Sequence, residues 1–153
     1  MKLLPLAATA TALVVTAILA TPALAAAPIR GTEDDDSLHG TPSADNIYGL
    51  RGDDSIRSGA GDDRLFGGPG RDFLMDGGGD DSLRGGVGAD NFNVRRGADF
   101  LFAGVGRDTI LVYHDGSPDF IKCGAGVDRV QYTGPLEKHD TFHGCEHVDP
   151  YSP

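Results

Sequence analysis

The sequence contains no tryptophan, only two cysteines and only three glutamates among its 23 acidic residues. Its 23 glycines and its net charge of −10 leave little apolar mass to bury and much repulsion to overcome, so we expect the chain to fold poorly without counter-charge. The 13 lysines and arginines form no basic stripe, which argues against a nucleic-acid partner. None of Glu33, Glu137 and Glu146 closes a twelve-residue EF-hand loop, which excludes that calcium motif.

Catalytic motifs are also missing, since the sequence has neither G-x-S-x-G nor H-E-x-x-H. Adjacent aspartates such as Asp80 and Asp81 resemble acid–base pairs, but neighbouring side chains on an extended segment diverge. Histidines at 139, 143 and 147 would form a metal-binding face on a helix, whereas Asp140 and Gly144 favour an extended surface segment. We therefore predict no enzyme activity, and a small secreted enzyme using this histidine- and aspartate-containing tail is the less favoured alternative.

A strict period of nine residues organises the chain. Residues 67–93 read GGPGRDFLM, DGGGDDSLR and GGVGADNFN, with glycine at places one, two and four, aspartate at place six and a large apolar residue at place eight. Asp76 is the single departure. The place-six aspartates extend in both directions and, after a break, continue further; they are Asp36, Asp45, Asp54, Asp63, Asp72, Asp81, Asp90, Asp99, Asp108, Asp119 and Asp128. A flexible acidic linker would show no such register, so the period argues against that interpretation of the chain.

Each place has a physical reason. The glycines permit positive φ and tight loops whose carbonyls turn toward one point, and a place-six carboxylate adds a charged oxygen there. An all-oxygen set suits Ca²⁺, while places seven to nine predict a short strand with place eight facing inward. The predicted side-chain ligands are the eleven aspartates above. The predicted carbonyl ligands lie around Gly49, Gly52, Gly59, Gly61, Gly67, Gly68, Gly70, Gly77, Gly79, Gly85, Gly86, Gly88, Gly104 and Gly106.

The pattern resembles the G-G-x-G-x-D-x-U-x repeat of the RTX (haemolysin-type) calcium-binding family. That resemblance implies an all-β fold, a right-handed parallel β-roll in which eighteen residues make one turn, here about six turns high. It also implies several Ca²⁺ ions, held between loops eighteen residues apart in one row along each edge. The aspartates would then split by parity, with Asp36, Asp54, Asp72, Asp90 and Asp108 on one edge and Asp45, Asp63, Asp81 and Asp99 on the other.

The repeats differ in quality. Those over residues 49–93 are the best. In the next repeat Val94, Arg95 and Arg96 replace the opening glycines, and the two arginines bring positive charge toward a proposed ion. Val112 and Tyr113 read as an insertion. Asp119 follows that insertion in a loop with few glycines, so we expect it to matter much less than Asp72, which belongs to two good loop pairs.

The two ends of the chain carry different signals. Residues 1–25 resemble a secretory signal peptide, followed by a leader at 26–30, the repeats at 31–131 and a C-terminal cap at 132–153. The apolar run is also long enough to span a membrane, so an uncleaved membrane anchor is the alternative interpretation. Cleavage would give a secreted, extracellular protein without stable membrane insertion. In such a chain Cys123 and Cys145 are expected to form a disulfide that ties the tail to the repeats, and two free buried thiols are the alternative.

Large apolar residues occupy some outward places. Phe66, Phe100 and Phe102 should share one sheet face, and Phe73, Met75 and Leu111 the other. One interpretation is that the C-terminal tail covers these residues or that they lie scattered on the surface. The other is that they form a contact patch for a cell-surface or extracellular partner.

Overall fold

The computed structural model describes residues 27–135 and 139–149. The predicted signal segment, residues 1–25, lies outside this range. Fourteen β-strands and no helix occur within it, so the described residues include no helix able to cross a membrane. The strands are β1 Ile29–Arg30, β2 Ser37–His39, β3 Asn46–Tyr48, β4 Ser55–Ala60, β5 Arg64–Pro69, β6 Phe73–Gly78, β7 Ser82–Val87, β8 Asn91–Val94, β9 Phe100–Gly106, β10 Thr109–Val112, β11 Phe120–Gly126, β12 Arg129–Tyr132, β13 Thr141–His143 and β14 His147–Asp149.

The strands alternate between two parallel sheets. One sheet runs β1-β3-β5-β7-β9-β11-β13, and the other runs β14-β12-β10-β8-β6-β4-β2. Neighbouring strands in the repeats are offset by eighteen residues, as in the pairing of Leu65 with Leu83. The predicted parallel roll is therefore confirmed. It has about seven turns rather than six, because β13 and β14 continue both sheets.

The core consists of the side chains that the two sheets direct between them. The place-eight residues Ile47 through Val130 are 0–1% exposed, as the period predicted. Place one also points inward, which the sequence did not reveal: Ser58, Asp76, Val94, Ala103 and Cys123 are all completely buried. The reason is that the best strands run on from place seven to place three of the next repeat, so two inward positions alternate with outward ones.

The glycines have two different tasks. Those at places two and four adopt positive φ, and at Gly68 (φ 131°) a Cβ would also clash with the Leu50 carbonyl oxygen of the previous turn. The place-one glycines Gly49, Gly67 and Gly85 do not have positive φ, contrary to the prediction. Glycine is needed at these three positions because the place-six carboxylate of the same loop lies where a Cβ would be.

The break in the period lies later than predicted. Val112 is not inserted, since it pairs with Val94 and is buried. Tyr113 also keeps register, because its N–H donates to the Val94 carbonyl at 2.9 Å. The two additional residues therefore belong to the loop between Tyr113 and Asp119, where an insertion leaves both sheets intact.

Cys123 and Cys145 form the predicted disulfide, with Cα atoms 5.2 Å apart. It joins β11, in the sixth turn, to the segment between β13 and β14. The last strands pair on one side only, so a covalent tie holds the open end of the stack.

Replacing both cysteines by alanine is expected to destabilise the calcium-loaded protein by about 3 kcal/mol, since the bond closes a loop with a sequence separation of 22. Urea unfolding followed by circular dichroism measures the change. A loss well under about 1 kcal/mol would mean that the tail is already held by strand pairing.

The outward aromatics are arranged in ladders along the stack of turns. The Tyr48 and Phe66 rings stack at 4.8 Å with 3° between their planes, and Phe100 stacks on Phe120 at 5.0 Å. Arg84 and Lys122 flank the Phe102 ring at 5.9 and 5.3 Å. The ring faces are thus occupied by neighbouring turns, which stabilises the stacking of turns.

Candidate metal centre

The place-six aspartates form one hydrogen-bonded ladder along each edge of the roll. In each ladder, the backbone N–H of one aspartate donates to Oδ1 of the aspartate in the next turn, at 2.7–3.0 Å. The first edge carries Asp36, Asp54, Asp72, Asp90, Asp108 and Asp128. The second carries Asp45, Asp63, Asp81, Asp99 and Asp119. The turn-to-turn spacing therefore places all eleven carboxylates in two rows.

The second oxygen of most of these carboxylates has no donor. Eight place-six aspartates have a buried Oδ2 without a hydrogen-bond partner: Asp54, Asp63, Asp72, Asp81, Asp90, Asp99, Asp108 and Asp128. Burying one unsatisfied charged oxygen is costly, and eight in two regular rows are far outside what a stable fold tolerates. Bound cations would satisfy them.

A carbonyl oxygen lies near each of these carboxylates. A Cβ added at Gly67 would lie 2.8 Å from the Gly85 carbonyl oxygen and closer still to Oδ2 of Asp72. Gly49 has the same relation to Asp54 and to the Gly67 carbonyl. Glycine at place one thus lets one carboxylate and one carbonyl oxygen, the donor types that Ca²⁺ prefers, approach the same stretch of backbone.

Burial makes these carboxylates difficult to ionise without a cation. Desolvation raises the pKa of Asp72 to about 6, and that of Asp81 and Asp90 to about 7, against backbone hydrogen bonds that lower it. The charges of neighbouring aspartates raise these pKa values further. A divalent cation would remove both costs at once.

The first two repeats satisfy their carboxylates differently. Oδ2 of Asp36 accepts hydrogen bonds from the Thr32 backbone N–H at 2.6 Å and from its hydroxyl at 2.9 Å. Oδ2 of Asp45 accepts the same pair from Thr41, at 2.6 and 2.8 Å. Threonine at place two therefore supplies the donors that the glycine-rich loops lack, and these two oxygens have no need of a cation.

The last turn continues both ladders with residues that the sequence analysis did not assign to sites. The Asp128 N–H donates to Oε2 of Glu146 at 2.8 Å, and the Asp119 N–H donates to Oδ1 of Asp140 at 2.9 Å. The sequence analysis placed Asp140 only in an extended surface segment. It did not single out Glu146 as a ligand, although Glu146 lies eighteen residues after Asp128. The histidine tail forms no helical metal face, because His143 and His147 belong to strands of different sheets.

Place five carries a second, exposed ladder. The N–H of Asp53 donates to Oδ1 of Asp35, and the N–H of Arg71 donates to Oδ1 of Asp53, both at 2.8 Å. On the other edge the N–H of Asp80 donates to Oδ1 of Asp62 at 3.0 Å. The first member of each aspartate pair thus links turns, which explains the pairs without catalysis.

One further cluster combines a place-one residue with the second ladder. Asp76, Asp81 and Asp99 are all buried and offer ligand oxygens within 4.8 Å of one another. Asp76 is the departure from the repeat, and the sequence analysis did not count it as a ligand.

A profile of the RTX calcium-binding nonapeptide repeat matches the chain in four copies, at residues 29–56, 39–74, 66–101 and 75–110. Together they span 29–110, more than half of the chain. The chain belongs to the RTX calcium-binding repeat family. Membership implies calcium binding by a β-roll, which the two rows of donor-free carboxylates fit.

Other comparisons add little. No curated protein matches the chain. Among solved structures, the solution structure of the AlgE6R3 subunit from the Azotobacter vinelandii mannuronan C5-epimerase is 30% identical, covering 77% of this chain and 59% of that one. The TM-score of 0.27 is too low to support a structural comparison. The chain spans about three fifths of that subunit's length.

Proposed function

We propose that this RTX protein binds several Ca²⁺ ions in two rows, one along each edge, and that binding is coupled to folding after export. The observation that carries the proposal is the set of eight buried Oδ2 atoms without donors. In each of these carboxylates the other oxygen, Oδ1, accepts a ladder hydrogen bond that fixes its orientation. The free Oδ2 atoms are therefore preorganised to bind a cation.

Cations belong between the turns that contain paired donor-free oxygens. On the first edge these are successive turns through Asp54, Asp72, Asp90, Asp108 and Asp128, and on the second edge they are turns through Asp63, Asp81 and Asp99. Because each ion would bridge two turns, filling one site orders the loops of the next. This arrangement favours cooperative folding along the stack.

Export is supported by two independent features. A disulfide persists in oxidising compartments rather than in a reduced cytoplasm, and residues 1–25 have the composition of a secretory signal. Calcium outside the cell would then complete the fold. No catalytic group is part of this proposal, and the stacked aromatics favour a role in stability over a partner surface.

Calcium titration calorimetry on three proteins tests the proposal: wild type, Asp72→Asn and Asp45→Asn. Asp72 has a donor-free Oδ2 and neighbours two candidate sites, so Asp72→Asn is expected to weaken two ions by about tenfold or more each. Asp45 is equally buried, but its Oδ2 is bonded to Thr41, so its substitution should leave the ion count unchanged.

Three results would overturn the proposal: no calcium binding by the wild type, equal losses in both variants, or normal binding by Asp72→Asn. Asp119→Asn, measured beside them, tests the ranking of sites by repeat quality. Its carboxylate accepts the Asp99 N–H at 3.0 Å despite its irregular loop. A loss as large as that of Asp72→Asn would refute the ranking.

A further inference from the structure

Asp76 occupies a position where a side chain meets the cation site. In the regular repeats this position is glycine, and a Cβ there would contact the place-six carboxylate of the same loop. Asp76 is completely buried. Its carboxylate therefore lies on the same side of the loop as Oδ2 of Asp81, and not in solvent.

The backbone holds the Asp76 side chain in place. Its Oδ1 accepts the N–H of Gly77, and its Oδ2 accepts the N–H of Arg95 at 3.1 Å. The Ser58 hydroxyl donates to its carbonyl. Two backbone donors thus fix the side chain and a third bond fixes its main chain, so Asp76 is oriented and is not a chance intrusion into the core.

Two other oxygens of this cluster have no hydrogen-bond partner. Oδ2 of Asp81 and Oδ2 of Asp99 are both buried without a donor, in residues only 2% exposed. Two oxygens that share one Ca²⁺ ion at the usual distance of about 2.3–2.6 Å are at most about 5 Å apart. The ligand oxygens of Asp76, Asp81 and Asp99 meet this limit, since they lie within 4.8 Å of one another.

We propose that Asp76, Asp81 and Asp99 form a three-carboxylate calcium site, and that it binds the most tightly held ion of the chain. The inference rests on the proposed calcium binding and adds to it a ligand that the repeat does not supply. Affinity in all-oxygen sites rises with the number of charged ligands and with their rigidity. This site has one more carboxylate than the sites built on place-six aspartates alone.

The charge distribution supports this assignment. The three buried carboxylates offer oxygens within 4.8 Å of one another, and this concentration of negative charge needs a counter-charge. Arg95 was expected to repel a cation here. Its guanidinium carbon instead lies 5.1 Å from the centroid of the Tyr113 ring, stacked on that side chain.

A second interpretation of the cluster needs no ion. Asp76 could be neutral and act as a hydrogen-bond donor to Asp99, a purely structural pair. The two interpretations differ in what asparagine does, because asparagine keeps the size and a donor but removes the charge.

Four proteins distinguish them by calcium calorimetry: wild type, Asp76→Asn, Asp76→Gly and Asp80→Asn. The glycine variant restores the regular repeat, so it should fold. Asp80 is exposed in the same loop, and its substitution by asparagine matches the change in net charge while it keeps the Oδ1 that accepts the Ala98 N–H at 2.9 Å. The wild-type isotherm should show one ion bound more tightly than the rest. Both Asp76 variants should lose that tight ion by tenfold or more, while Asp80→Asn changes its affinity less than twofold.

Each other outcome contradicts the proposal in a distinct way. Unchanged binding by Asp76→Asn would assign Asp76 to the structural pair. Equal losses in Asp80→Asn would reduce the effect to general electrostatics. A wild type that binds calcium without a tighter class would refute this inference alone, whereas a wild type that binds none would refute the proposed function as well.

Discussion

Removing calcium from the purified protein is expected to abolish most of its β-sheet circular dichroism at neutral pH, and restoring calcium should recover it. The reason is the balance of charge and burial. The described residues include fifteen buried hydrophobic residues, while eight buried carboxylate oxygens have no donor. Without cations the folded state must hold these charges close together in a region of low polarity, and the unfolded chain can separate them.

The expected size of the effect follows from ordinary affinities. Calcium modules that work outside cells bind with dissociation constants of about 0.1–1 mM. At about 2 mM free calcium each such site adds roughly 0.6–1.8 kcal/mol, so five sites add about 3–9 kcal/mol. The net stability of an ordinary domain is about 5–15 kcal/mol, so we expect the calcium contribution to be comparable to the whole stability of the fold.

The measurement is far-ultraviolet circular dichroism during a titration with chelator and then with calcium. Magnesium at the same concentration is the ionic control, because Mg²⁺ requires shorter octahedral coordination and retains its water. It should restore little structure. A spectrum that is unchanged in excess chelator would refute calcium-coupled folding, and full recovery with magnesium would show that screening, not coordination, stabilises the roll.

Much of the fold could be read from the period of nine. Glycine and aspartate at fixed places predicted the loops, place eight predicted the core, and residues such as Leu65 and Leu83 lie paired in neighbouring turns as expected. These features are predictable because each turn pairs only with the turns before and after it. Local sequence therefore carries most of the information that defines the architecture.

The rest depends on contacts between turns that no single repeat displays. Glu146 replaces an aspartate outside any recognisable repeat, and only strand pairing places it opposite Asp128. Thr32 looks like a defect in the pattern, yet it completes the hydrogen bonding of Asp36. Asp76 looked like a lost glycine until its burial placed it against Asp81. Departures from a repeat acquire meaning only from the neighbouring turn.

In excess chelator, acidification is expected to recover β-structure that neutral pH removes. Burial raises the pKa of Asp72, Asp99 and Asp108 to about 6, and of Asp81 and Asp90 to about 7, from 3.8. Between these values the folded state binds more protons than the unfolded state. The free energy of unfolding without cations is therefore greatest below about pH 4 and decreases as the pH rises through about 4 to 7.

Calcium should reverse this dependence. Coordination requires ionised carboxylates, so protons compete with the ion and the loaded roll loses stability as the pH falls through the same window. Urea unfolding at about pH 4.5 and about pH 7.5, with chelator and with saturating calcium, measures how the free energy of unfolding depends on pH in each state. Asp90→Asn removes one titrating carboxyl and should flatten the dependence in chelator. If the cation-free protein has no more β-structure at the lower pH, the burial of these carboxyls is contradicted. Protonation of a carboxyl in a low-polarity site should stabilise the folded state.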